Sequence, residues 1–309
     1  VVLSGAYTVL RGAPALVTAV SRFAFADRLR PADFLTPEVR CALEELSGTP
    51  AAPWFDASAL RERGEKLGLG SSAAILVASL GALLSEAYAK DPAAWRQEIY
   101  GRALRAHRAA QGGGSGIDVA ASSFGGTLLA QLEHPGQVGP GAPALRVQGV
   151  SLPSDLTLEI WALGQPASTA QFVRRVFDLE RSDPRTFHGL LEVQADAARA
   201  AVEAVEAASA QALVDSLRAQ FHALDALGRA AGVPIVVESL RELEPLARAT
   251  GAFLPAGAGG GDISIYAGLV PSSSAFRSAA AARGLWQLEL DCGAPGVDRV
   301  PAGPPEPPV

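Results

Sequence analysis

Residues 66–74 read KLGLGSSAA, and the apolar run ILVASLGALL follows at 75–84. Gly68 and Gly70 make a flexible approach, and Ser71 or Ser72 stands where a helix of about four turns needs a cap. Glycines let backbone N–H groups converge on an anion, and a helix start adds partial positive charge. The two hydroxyls suit phosphate oxygens or Mg²⁺. The Walker pattern is absent, because no lysine directly precedes the serine. The stretch reads either as a phosphate loop or as an ordinary helix start with a flexible lead.

Two more glycine clusters lie downstream. Residues 111–122 read QGGGSGIDVAAS, with Asp118 just after the glycines. Such backbone tolerates close approach to a ligand, and the carboxylate can be aimed into that space. The plainer reading has Asp118 capping a helix that begins at Val119. Residues 257–262 read GAGGGD and run into the strand-like ISIYAG. Here the glycines serve a tight turn or a loop pressed against a substrate, with Asp262 as a structural acceptor.

Around these loops the chain alternates strands and helices. Residues 1–25 read as a β-hairpin turning at Gly12 and Pro14, with the opening VVLSGAY resembling mid-strand. Helices are expected over 36–46, 71–84, 93–109, 168–231 in several pieces, 233–250 and 272–283. Strands are expected at WFDASAL, GGTLLAQL, LTLEIWALG, ISIYAG and LWQLELDC, with a loop or hairpin over 131–150. The order implies an α+β chain of two domains divided near 150–165.

Bulk properties exclude several classes. In 309 residues, 49% are hydrophobic and 19% charged, which is globular composition. A net charge of −6 argues against nucleic acid as partner. Two distant cysteines and four scattered histidines make no zinc pattern and suit a reducing, cytoplasmic setting. The longest apolar run is too short to span a bilayer.

The three loops, in this order, resemble the GHMP kinase superfamily, and the resemblance extends over most of the chain. SGAYTVLRGAPALVTAV is similar to its first hairpin, KLGLGSSAA to its phosphate loop and GAGGGD to its C-terminal glycine loop. AHRAAQGGGSGIDVAASSFGG, residues 106–126, resembles the phosphomevalonate kinase branch, with Val119 and His107 where mevalonate kinases carry Asn and Glu. The resemblance implies an N-terminal domain like ribosomal S5 domain 2 over residues 1–155. A ferredoxin-like C-terminal domain over 156–309 would end in a Pro-rich tail.

It also implies an ATP- and Mg²⁺-dependent kinase acting on (R)-5-phosphomevalonate, a step of the mevalonate route to isoprenoids. Asp118 and Lys66 would be catalytic. Gly68, Leu69, Gly70, Ser71, Ser72 and Ala73 would bind the ATP phosphates, with Ser72 on the metal. His107, Ser115, Gly116, Ser168, Thr169, Gly257, Ala258, Gly259 and Gly260 would face the acceptor. Arg22, Arg105 and Arg108 are further candidate cations. The expected partner is a small molecule, with neither nucleic acid nor membrane, in a monomer or homodimer. Two departures stand out: Leu254 and Ala256 replace a lysine and a serine common in the family's third motif. Another small acceptor such as mevalonate, or a non-catalytic sensor of the same fold, are the competing expectations.

Overall fold

The protein is described here from a computed structural model, covering residues 1–46, 50–88, 91–133, 145–164 and 169–300. The first hairpin pairs β1 (Val2–Ser4) with β2 (Ala15–Thr18), and a 3₁₀ turn at Thr8–Arg11 lies between them. The chain continues through β3 (Phe25–Pro31), α1 (Pro37–Glu44), β4 (Pro53–Asp56) and the small hairpin β5 (Arg61–Glu62) and β6 (Glu65–Lys66). Helices α2 (Ser71–Leu83), α3 (Ser85–Tyr88), α4 (Pro92–Gln111) and α5 (Ile117–Phe124) follow, then β7 (Thr127–Leu132) and β8 (Leu145–Val150). Strands order as β1-β2-β7-β8 in an antiparallel sheet.

The second half opens with β9 (Thr157–Ala162), then α6 (Thr169–Ser182), α7 (Pro184–Glu206), α8 (Ala210–Ala231) and α9 (Glu238–Arg248). It closes with β10 (Gly251–Pro255), β11 (Ile263–Gly268), α10 (Ser274–Ala282) and β12 (Trp286–Leu288). This sheet runs β10-β11-β9-β12, also antiparallel.

Local chemistry explains several boundaries. Thr36 Oγ1 accepts from Val39 N before α1. Asp91 Oδ1 accepts from Ala93 and Ala94 N before α4, where Pro92 takes the first helical position. Helix α2 buries Ile75, Leu76, Val77 and Leu80, so it is apolar on most sides. It packs among α1, α4, α5, β3 and β4. Strand β2 serves two cores through its two-residue period: Ala15 and Val17 join the α2–α4 cluster, while Leu16 joins the cluster around α8, β9 and β11. Beyond β12 the chain returns to the first half. Cys292 bridges Val20, Pro295 bridges Gly125, and Arg96 Nε donates to Val297 O at 3.0 Å.

Some expectations change. Residues 233–237 are not helical, and α9 begins only at Glu238. Strand β10 was not expected: its five residues are all buried, so no alternation marks them. The strand expected over LWQLELDC shortens to β12. Of the loop or hairpin expected over 131–150, the hairpin is the form observed, with β8 antiparallel to β7, and residues 134–144 lie outside the described residues.

Candidate active site

The cap of α2 is Gly70, at φ 77°, with no side-chain cap bond. Ser71 and Ser72 are therefore first-turn residues rather than caps, and the first-turn amides are left without a capping side chain. The same holds at α5, whose cap is Gly116 at φ 78°. Asp118 is thus the second residue of that helix, not its cap. Its Oδ1 accepts from Val119 N at 2.9 Å, and its side chain is 38% exposed. The positive end of the α5 dipole favours the carboxylate there.

The three glycine loops meet. A Cβ on Gly68, itself at φ 65°, would stand 2.7 Å from Asp262 Cβ. A Cβ on Gly70 would lie 3.6 Å from Asp118 Cβ. The segment between α2 and β6 therefore lies against the second loop on one side and the third loop on the other, with a carboxylate at each contact. All three border one cleft of about 1930 Å³. Gly68, Leu69, Gly70, Ser115, Gly116, Asp118, Thr169, Gly257, Ala258, Gly259 and Asp262 are on its wall.

His107 also borders the cleft and is 3% exposed. Its Nε2 lies 3.4 Å from Asp118 Oδ2, while neither ring nitrogen has a hydrogen-bond partner. A buried imidazole in that condition is costly unless a ligand or water completes it.

Other expected residues fall elsewhere. Lys66 is exposed on β6 and is not on the cleft wall, since the β5–β6 hairpin carries it outward while the next residue, Leu67, is buried. Ser71, Ser72, Ala73 and Gly260 are likewise off the wall, and Ser71 is buried. Ser168 lies outside the described residues. Arg105 is off the cleft wall and pairs with Glu45 at 3.1 Å, whereas Arg22 does border the cleft, paired with Glu62 at 3.0 Å. Arg108 is buried and donates to Gly114 O and Ser115 O, both at 3.3 Å, so it braces the second loop. Burial pulls its guanidinium below the ordinary value, with the neighbouring Tyr100 opposing the shift.

Leu254 packs in the core of β10 at 1% exposure, so no charge reaches the cleft from that position. A cation that the sequence reading passed over is Arg174. It lies on the stripe Ala170, Val173, Arg174, Phe177 and Arg181 of α6, all on the cleft wall. Among the described residues no acidic side chain pairs with it. The three-to-four spacing of that stripe is the signal that would have found it.

Residues 45–126 match the family described as GHMP kinases N terminal domain. Over that stretch the chain carries a GHMP kinase N-terminal domain. A phosphomevalonate kinase of Streptomyces sp. (strain CL190) is 34% identical over 236 residues, 70% of this chain. The aligned part spans 61% of that relative's length. A Lin0012 protein from Listeria innocua superposes with TM-score 0.77 at 21% identity, covering 95% of each chain. The phosphomevalonate kinase of Streptococcus pneumoniae, solved with phosphomevalonate and AMPPNP, gives 0.69 at 17% identity, covering 94% of this chain and 97% of that one. The GHMP kinase fold accounts for both sheets and for the order of the three loops. No helix among the described residues is long and apolar enough to cross a membrane.

Proposed function

We propose that this protein transfers the γ-phosphoryl group of ATP to the phosphate of (R)-5-phosphomevalonate, giving 5-diphosphomevalonate and ADP. The observation that carries the reading is the meeting of three glycine loops at one cleft beside Asp118. The likeness to a protein named phosphomevalonate kinase supports the acceptor.

Phosphoryl transfer needs positioning and charge neutralisation more than covalent help. Gly68, Leu69 and Gly70, on the cleft wall just ahead of α2, receive the ATP phosphates. Ser115, Gly116, Thr169 and the loop Gly257–Ala258–Gly259 flank the acceptor. A phosphate acceptor has a second pKa of about 6 and is largely ionised at neutral pH. Asp118 therefore orients the reacting groups and need not remove a proton.

The residues present fit a nucleotide-borne Mg²⁺. Among the described residues no cluster of three or more metal-binding side chains occurs. Mg²⁺ typically takes one or two carboxylates and completes its shell with phosphate oxygens and water, and Asp118 on the cleft wall offers such a carboxylate. Bound there, the ion would neutralise phosphate charge. Arg174 supplies positive charge on the acceptor side. The same reading divides the chain into an ATP-binding part, residues 1–155, and a second part from 156 onward, in a cytoplasmic protein.

ADP release measured with phosphomevalonate, mevalonate, homoserine and galactose tests this reading. Turnover is expected with phosphomevalonate alone. Turnover with mevalonate instead overturns the acceptor, and none with any of the four overturns the enzyme in favour of a binding protein. In the same assay Arg174→Ala should raise the acceptor KM by about tenfold or more, the loss of one charge-assisted contact, and leave the ATP KM unchanged. An unchanged acceptor KM removes Arg174 from the site.

A further inference from the structure

Residues Ala6, Tyr7 and Thr8 form a γ-turn. Thr8 N donates to Ala6 O at 2.8 Å, and Tyr7 stands at φ 64° and ψ −50°. This form of the turn is rare and strained. Arg63 and Ala208 also have positive φ, but both are exposed, whereas Tyr7 is 4% exposed. Strain held in a buried position persists only where the surroundings over-determine it, and it points toward function.

The strain has a visible product. It delivers the Tyr7 hydroxyl to Ala258 O at 2.6 Å, a partner 251 residues away in the third glycine loop. That loop is clasped from behind as well, by Gly260 N donating to Ile235 O at 3.1 Å. Gly259 leaves no slack there, because a Cβ would stand 2.2 Å from Ile235 O. The hairpin has its own independent fastening: Gly5 N donates to Gln220 Oε1 at 3.1 Å, and Gln220 Nε2 donates to Ser4 Oγ at 2.8 Å. The phenol is therefore not needed to seat the hairpin. It is the link from the hairpin to the loop at the cleft wall. Burial drives the phenol well above its ordinary pKa, so it stays a donor.

We infer that Tyr7 is a positioning residue: its strained turn and phenol hydroxyl fix the 257–260 loop against the acceptor while phosphoryl transfer takes place. The inference rests on the kinase reading, since the loop is useful only if it meets an acceptor. A loop displaced by as little as 1 Å can cost about a hundredfold in rate, so a single bond at this place matters for turnover.

Tyr7→Phe in the full chain is the test, because it keeps the ring in the core and removes only the hydroxyl. Two readouts are taken: steady-state ADP release with phosphomevalonate, and hydrogen exchange of amides 257–262. The expected result is a kcat lowered about 10- to 100-fold, an ATP KM unchanged within twofold, and faster loop exchange. Unchanged loop exchange overturns the inference whatever the rate. Faster exchange with wild-type kcat overturns it too, because the bond would then be structural only. If wild type turns over no acceptor yet loop exchange rises in Tyr7→Phe, the kinase reading fails and the tie stands.

Discussion

Two glycine loops with similar composition border the same cleft and are held in opposite ways. The loop at 112–116 is braced from its own helix: Arg108 reaches carbonyls six and seven residues ahead. The loop at 257–261 is braced from afar, by Tyr7 across 251 residues and by Ile235 across 25. The first brace forms as soon as α4 and its exit turn form. The Tyr7 part of the second exists only once the two sheets have come together, so it reports on their mutual arrangement. The near loop carries Asp118. The far loop gives the cleft its opposite wall.

The comparison can be broken most severely at Asp118. If the near loop exists to aim this carboxylate, Asp118→Ala removes about 10²- to 10³-fold of turnover, a far larger loss than the fall in nucleotide affinity from one missing Mg²⁺ ligand. Steady-state ADP release with titrated AMPPNP binding checks both. Near-normal turnover would detach the near loop from the chemistry.

At the far loop, stability should fall. Gly259→Ala places a methyl where Ile235 O stands 2.2 Å away, at a backbone φ of 78°. Overpacking plus a left-handed non-glycine residue costs about 2–4 kcal/mol. A urea midpoint should show it. Gly112→Ala is the control: its φ of 71° carries the same backbone strain, but a Cβ there meets nothing within 4 Å. Equal losses at both positions would mean that the Ile235 clasp contributes nothing.

The near loop was legible in the sequence and the far one only in part, for a physical reason. Cap residues, proline starts and glycine stops are local, so α4 and α5 could be read almost to the residue. Loop composition was local as well. Tyr7, however, looks like a core aromatic in any linear reading, and only folding shows its hydroxyl reaching Ala258. Strand β10 was hidden for a related reason: buried on both faces, it shows no alternation. Lys66 is next to the phosphate loop in sequence yet exposed and off the cleft wall, because a two-residue hairpin is enough to turn a side chain outward. Arg174 belongs to no glycine motif, and only the face of α6 that it shares with Ala170, Val173 and Phe177 brings it to the cleft.

The smallest effect concerns alkali, and it sharpens the contrast in how the near loop's helix is held. Tyr100 lies on α4, two turns before Arg108, and its hydroxyl donates to Leu145 O at 3.3 Å. Burial pushes its phenol up to about 12, while the Arg108 charge pulls the other way. In the unfolded chain the phenol ionises near its ordinary value of 10. The native state therefore keeps the whole benefit of a neutral Tyr100 below about pH 10 and loses it progressively as pH rises toward about 12, by at most about 2.7 kcal/mol. Tyr100→Phe cannot ionise. It should be slightly less stable than wild type at pH 8, by about 0.5–1.5 kcal/mol for the lost hydrogen bond, and should show a flatter decline in urea midpoint between pH 10 and about 12. If the two proteins decline in parallel, alkali acts on groups other than Tyr100, and the brace of the near loop does not depend on the protonation of its own helix.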